Sequence, residues 1–283
     1  MRSVKSLIAA GAVSLISTAA FAADLPISEP PMYGPPPVDF GGWYLRGDIG
    51  FSNQRVSSVR NTNAALYAGL TSFNETTGFD TGGIFDVGAG YRFNNWLRFD
   101  VTGQYRGNTN FHGLDLISFP NGGAAGFGSD IYTAQKSEWL FLANGYVDLG
   151  TWWCLTPYIG AGVGTARVQI ANFLDQGLAT LFPPGSGVGP SVVSAATGSQ
   201  WNFAWALHAG LAYQIGPNVA IELGYSYVNL GNGTTGPDSA FDLSAGGHVY
   251  QFHDITSQDL MLGVRWNLDN PPPPPPMPLV RKG

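Results

Sequence analysis

Trp201-Asn202-Phe203-Ala204-Trp205-Ala206-Leu207-His208-Ala209-Gly210-Leu211-Ala212-Tyr213-Gln214-Ile215 is the stretch whose reading decides the fold. Its odd positions are large and apolar, and its even positions are small or polar. A period of two residues is the signature of a strand, because successive side chains point to opposite faces. A strand greasy on one face fits either a soluble sandwich or a membrane barrel, so the other strands have to decide.

The same rhythm recurs eight times. The segments are about 42–52, 82–93, 96–106, 137–149, 155–167, 201–215, 219–229 and 259–268. With each strand's parity fixed from its apolar residues alone, the charges become a test. Arg46, Asp48, Asp86, Arg92, Arg98, Asp100, Arg106, Glu138, Asp148, Glu222, Asp259 and Arg265 all fall on the opposite face. The exception is Arg167, in phase with Val163 at the loop end of its strand, where it can snorkel to an interface. No lysine falls on this polar face, as read. Arginine with aspartate or glutamate suits a confined space, where forked hydrogen bonds satisfy both partners. An eight-stranded barrel has an interior just wide enough to be filled by such side chains. A charge on the lipid face at mid-depth costs about 2–4 kcal/mol, so its absence there is expected.

Aromatic residues give an independent test. Threading the strands up and down places outward Phe51, Tyr105, Trp139, Trp201, Tyr225 and Tyr227 near one end. Trp43, Tyr91, Phe93, Tyr213 and Trp266 fall near the other. Two girdles around an aliphatic band match the two interfaces of a bilayer, whereas a sandwich core needs no such banding. The connections agree. Asn94-Asn95 reads as a two-residue turn favouring positive φ, and Gly216-Pro217-Asn218 and the segment 150–154 are also short. About 53–81, 107–136, 169–200 and 230–258 read as long loops on the opposite end. The expected fold is therefore all-β: an eight-stranded antiparallel transmembrane barrel.

Composition points the same way. Charged residues make up 11% and aromatic residues 13% of the chain, with 8 Trp and 39 Gly, yet mean hydropathy is only +0.03. Soluble chains carry about 25% charged residues. Alternating faces cancel in the average, as a barrel requires. The formal net charge is −6, or −8 once Arg2 and Lys5 leave with an N-terminal leader. No Lys/Arg cluster exists, which argues against nucleic acid as a partner. The single Cys154 excludes an internal disulfide and a cysteine metal cluster, and reads as a packed apolar residue.

The ends are distinct from the barrel. Arg2 and Lys5, the apolar run 7–16 and Ala20-Phe21-Ala22 form a secretory signal over 1–22. Residues 23–41 read as a proline-rich linker. Residues 269–283 form a tail whose six prolines, Pro271 to Pro276, span roughly 19 Å as polyproline II. The tail reads first as a spacer, with Arg281 and Lys282 able to touch an anionic surface such as the cell wall.

The signal, the linker and Gly41-Gly42-Trp43-Tyr44-Leu45-Arg46-Gly47 together resemble the small, porin-like outer-membrane surface-antigen barrels of α-proteobacteria over about residues 40–268. Gly263, Trp266 and Leu268 are similar to the assembly-machine recognition pattern. The match departs at Met261 and in lying inside the chain rather than at its end. The resemblance implies a bacterial outer-membrane surface antigen supporting the envelope, with host contact through its loops. The implied partners are outer-membrane lipid and lipopolysaccharide, the assembly machinery, and the cell wall through the tail.

Two other functions compete. Inward Gly88, Gly90, Gly160, Gly162, Gly164 and Gly210 leave space for a small pore, or else make room for Arg46, Arg98, Tyr146 and Tyr158. A lipid-modifying enzyme needs a serine or histidine with an acid partner beside lipid. His208 faces inward and no such constellation is legible, so no catalytic, cofactor or metal residue is assigned. The loop aromatics Tyr67, Phe73, Phe79, Phe111, Phe119, Phe127, Tyr132, Phe173, Phe182, Phe241 and Tyr250 either recognise a partner or pack on one another above the barrel.

Overall fold

The computed structural model describes residues 41–121, 123–181, 189–241 and 246–268. The leader, the linker up to residue 40, Phe182 and the polyproline tail lie outside the described residues. Twelve strands form one sheet: β1 Gly42–Arg55, β2 Ser58–Asn61, β3 Ser72–Phe79, β4 Gly82–Arg92, β5 Leu97–Asn121, β6 Ala124–Asp148, β7 Leu155–Leu181, β8 Pro190–Ala195, β9 Gly198–Gln214, β10 Val219–Thr234, β11 Asp238–Ala240 and β12 Tyr250–Asn267. Eight of them close a ring of antiparallel pairs in the order β1-β4-β5-β6-β7-β9-β10-β12, and β12 returns to β1 from Tyr44↔Asn267 to Arg55↔Thr256. Closure leaves no unpaired edge in the ring.

The parity read from sequence sets the faces. Trp43, Ile49, Val87, Val101, Phe203 and Leu262 stand outward and exposed, while Tyr44, Arg98, Asp100, Glu222 and Asp259 are buried inside. A belt of exposed apolar side chains this continuous requires lipid rather than water. Along β6 and the residue that follows it, the belt runs from Trp139 to Leu149, about 33 Å along the chain and about 25 Å of height at the usual tilt, which is the thickness of a bilayer's apolar band.

Among the described residues, much of the four long connections is strand. Strands β5 and β6 have 25 residues each and β7 has 27, whereas crossing a bilayer takes about 9–11. The described residues of 107–136 pair as one tall hairpin, with a register shift between Arg106 and Thr109. The short strands brace this extension: β2 pairs with β12, β3 with β5, β8 with β7, and β11 with β8.

Up to Ile170 the faces of β7 keep their parity and exchange their chemistry; a register shift at Ala171–Leu174, where Asn172 has a φ of 53°, then turns the odd positions Phe173 and Asp175 inward. Low on the strand Ile159 and Val163 face out and Gly160 and Gly162 face in; higher up Arg167 and Gln169 face out while Ala166, Val168 and Ile170 are buried. The barrel is thus inside-out below and conventionally packed above. The upper core includes Phe111, Tyr132, Phe173, Leu230, Tyr250, Phe252 and Ile255.

The short turns also differ from expectation. Residues Phe93 to Trp96 form the turn between β4 and β5, and neither asparagine has positive φ. Instead Asn94 Oδ1 accepts hydrogen bonds from the Trp96 and Leu97 amides at 3.0 and 2.8 Å, so the side chain performs the turning. In the turn before β7, Trp153 and Cys154 carry φ of 50° and 68°. Cys154 is exposed there, not packed, because the strained turn projects it away from the barrel.

Candidate functional site

The lumen holds most of the predicted charges in two layers. In the first, Arg46 makes a forked contact with Asp48 (2.9 and 3.0 Å) and reaches Asp100 (3.3 Å) and the Tyr146 hydroxyl (3.0 Å). Arg98 meets Asp148 at 3.1 Å and stacks over Tyr146 and Tyr158. Glu222 lies among three arginines: Arg265 at 3.2 Å, Arg98 at 3.4 Å and Arg46 at 3.9 Å. In the second layer Arg106 binds Asp259 in a fork, donates to Ser257 at 2.9 Å, and lies 3.9 Å from Glu138.

Two predicted members stand apart. Asp86 takes a hydrogen bond from Gln104 at 3.3 Å but, among the described residues, meets no cation within 4 Å, because Gln104 fills the position opposite it on β5. Arg92 pairs in register with Arg98 near the short-turn mouth, and among the described residues its Nε has no partner. Conversely, Lys136 belongs to this network. It is buried on the inner face of β6, contacting Glu138 and Gln54, because the strand continues where a loop was expected. Continuing the even inward parity of β6 past Glu138 would have found it.

The lumen is filled. A Cβ on Gly90 would fall on Tyr44, on Gly160 on Tyr146, on Gly162 on Asn144, and on Gly210 on Tyr158. Gly263 leaves room for Asp48, a packing reason independent of any assembly role. Between these groups remains a cavity of about 20 Å³, close to the space of a single water. His208 contacts the Ser226 hydroxyl at 2.7 Å and Asn144 at 3.2 Å. The histidine–serine pair was not legible in sequence, but Ser226 is buried inside the wall and out of reach of lipid.

Outside, the aromatics meet in two sets. Trp43, Tyr91, Phe93 and Phe99 contact edge to face near the short turns. Tyr105, Trp139, Phe141 and Trp201 adjoin toward the extension, where Trp205 also meets Tyr227. Tyr213, Tyr225, Trp266 and Leu268 are likewise exposed on the outer face. Arg167 lies in register between Trp139 and Trp201 and donates to Ser199 at 3.3 Å.

The extension carries two surface features. The first is a cavity of about 650 Å³ whose lining includes Tyr67, Phe73, Asp130, Tyr132, Asp175 and Tyr250. The Tyr250 hydroxyl donates to Asp175 and the Tyr132 hydroxyl to Asp115, both at 2.8 Å. The second oxygen of each aspartate is buried without a hydrogen bond among the described residues. Burial and neighbouring carboxylates push Asp175 up to about 7; burial pushes Asp115 up to about 6, against the pull of its Tyr132 bond. The second feature is an apolar patch on the outer face. Leu114 pairs with Ile131, and Ser129 lies between Leu116 and Leu178; all four apolar side chains are exposed, as is Phe127. Among the predicted loop aromatics, Tyr132, Phe173 and Tyr250 are buried against one another and Phe111 against Phe79 and Phe252, whereas Phe127 and Phe241 face solvent.

Residues 8–267 match the family model described as "Outer membrane protein beta-barrel domain". An uncharacterized protein of Brucella abortus is 32% identical over 249 residues, covering 79% of this chain and 80% of its own. "Outer membrane protein PagN" of Salmonella typhimurium is 28% identical over 201 residues, covering 67% and 75%. A Rickettsia prowazekii protein named "Putative adhesin RP828" is 26% identical over 238 residues, covering 80% and 87%.

Proposed function

The chain belongs to the outer membrane protein beta-barrel domain family, and from that premise we propose that its barrel anchors an extracellular adhesive module. It is an integral outer-membrane barrel that contributes to the envelope and exposes its tall end to the surroundings. The carrying observation is the extension itself. More than half of β5, β6 and β7 stands beyond the span a bilayer requires, with a packed core and an exposed patch at Leu114, Leu116, Phe127, Ile131 and Leu178. Apolar groups held out in water on a rigid scaffold are suited to meeting a partner surface. The name of the Rickettsia relative favours adhesion over a purely structural role. The filled lumen supports neither steady diffusion nor catalysis at His208.

The same reading assigns further partners. The outward belt meets outer-membrane lipid and lipopolysaccharide, and the β12 segment with Gly263, Trp266 and Leu268 engages the assembly machinery. The tail beyond residue 268 spaces or contacts the cell wall. To test adhesion, bacteria displaying the full chain are compared with bacteria displaying Leu116→Ser, Phe127→Ser, Ile131→Ser and Leu178→Thr together, at equal surface levels. Attachment to eukaryotic cell monolayers is expected to fall severalfold toward that of cells lacking the protein. Equal attachment by all three strains would overturn the reading.

A further inference from the structure

We propose that the extension's cavity beside Asp130, Asp175 and Tyr250 binds an organic cation, a protonated amine or guanidinium group; this rests on the surface-recognition reading and gives it a ligand chemistry. The walls are apolar and partly aromatic. Tyr67, Phe73, Tyr132 and Tyr250 contribute rings, whose faces attract cations. The chain already uses two of these rings so: the Arg60 guanidinium lies 4.3 Å over Phe73 and 5.8 Å over Tyr67.

The floor is anionic and unanswered. Asp130 and Asp175 line the cavity and Asp115 stands behind Tyr132. Asp175 is 9% exposed, and its Oδ1 is buried without a hydrogen bond among the described residues. A buried carboxylate oxygen with no donor is costly, and because Asp175 lines the cavity, a turn of its side chain would let that oxygen accept from an entering N–H group. Arg60 does not serve, because Glu75 holds it at 2.9 Å.

The alternatives fit less well. An anion would face several carboxylates with no free cation among the described lining residues. A metal ion needs converging ligands, and no group of three or more His, Cys, Asp or Glu among the described residues can hold one. A cavity of about 650 Å³ instead accommodates an extended cation whose charge reaches the carboxylates while its carbon chain lies on the rings. That cation is either a free polyamine or a basic side chain on a partner protein.

The test uses the full chain in detergent, with spermidine and a short arginine-containing peptide as probes, followed by calorimetry at pH 8 and 0.15 M salt. Binding of either or both probes is expected, at least about tenfold weaker in Asp175→Asn and in Asp130→Asn, the loss for a charge-assisted hydrogen bond. Asp254→Asn, on an exposed acid outside the cavity, is expected to leave affinity unchanged. Spermidine alone binding identifies a free polyamine, and the peptide alone a side chain of a partner. Binding of neither probe, or equal binding to all variants, would overturn the proposal. Tyr250→Phe, which keeps the ring and removes the hydroxyl's bonds to Asp175 and Asn61, guards against misfolding and should retain binding. Adhesion persisting without cation binding would leave the recognition reading standing and sink this one.

Discussion

Glu222 has three arginines within 3.9 Å and is almost fully buried. Removing one charge from such a cluster leaves the others uncompensated in a space without bulk water, at a cost of about 3–5 kcal/mol. Glu222→Gln should therefore lower the urea midpoint of the protein refolded in lipid vesicles, while Asp254→Asn should shift stability by less than about 0.5 kcal/mol. Equal midpoints would show that the lumen network carries little of the fold's stability. In the extension the relevant effect is protonation. Carboxyls raised to about 6 at Asp115 and about 7 at Asp175 gain protons as pH falls, so cation affinity should be full at pH 8 and fall between pH 7 and pH 5. The groups facing this cluster are Glu75 from β3, Asp130 from β6, Asp238 from β11, Tyr250 from β12 and Arg60 from β2. Of these, Arg60 alone is cationic. A calorimetric affinity flat across that range would contradict the charge assignment. Most lumen contacts were legible from parity, since Arg46, Arg98 and Glu222 could only point inward. The isolation of Asp86 was not, because it depends on which β5 residue stands opposite.

At the scale of elements, parity was readable and extent was not. Strand β7 shows why. Its inward residues change from glycine to Ala166, Val168 and Ile170 while its outward residues change from Ile159 and Val163 to Arg167 and Gln169. A reading that equates the greasy face with lipid stops where the chemistry exchanges, and assigns the rest to a loop. In fact the strand leaves the membrane and keeps going, with its apolar face turned inward against the aromatic core. The register shift between Arg106 and Thr109 has the same effect in β5, moving the inward positions from even to odd so that Phe111 joins the core. The core around Phe252, which touches Phe111 and Phe173, should therefore hold the extension together. Phe252→Ala is expected to cost about 3–5 kcal/mol. Hydrogen exchange would locate that loss: protection should fall in residues 107–136 and 166–181 and persist at 42–52 and 259–267. A uniform loss, or none, would contradict an independently packed extension.

At the scale of the molecule, two solvents explain one chain. Below, lipid outside and a sealed ionic lumen within make the barrel an anchor. Above, water outside and an aromatic core within make a rigid platform, whose cavity and apolar patch are the parts free to meet a partner. Everything attributed to recognition depends on that platform facing outward from the cell. The measurement that tests it most directly is labelling of intact cells with a membrane-impermeant maleimide, in a Cys154→Ser background. Gly123→Cys, exposed at the β5–β6 hairpin tip, should label on intact cells. Asn95→Cys, exposed in the turn between β4 and β5, should label only after the outer membrane is permeabilised. Equal labelling of both on intact cells, or labelling of Asn95→Cys alone, would contradict it.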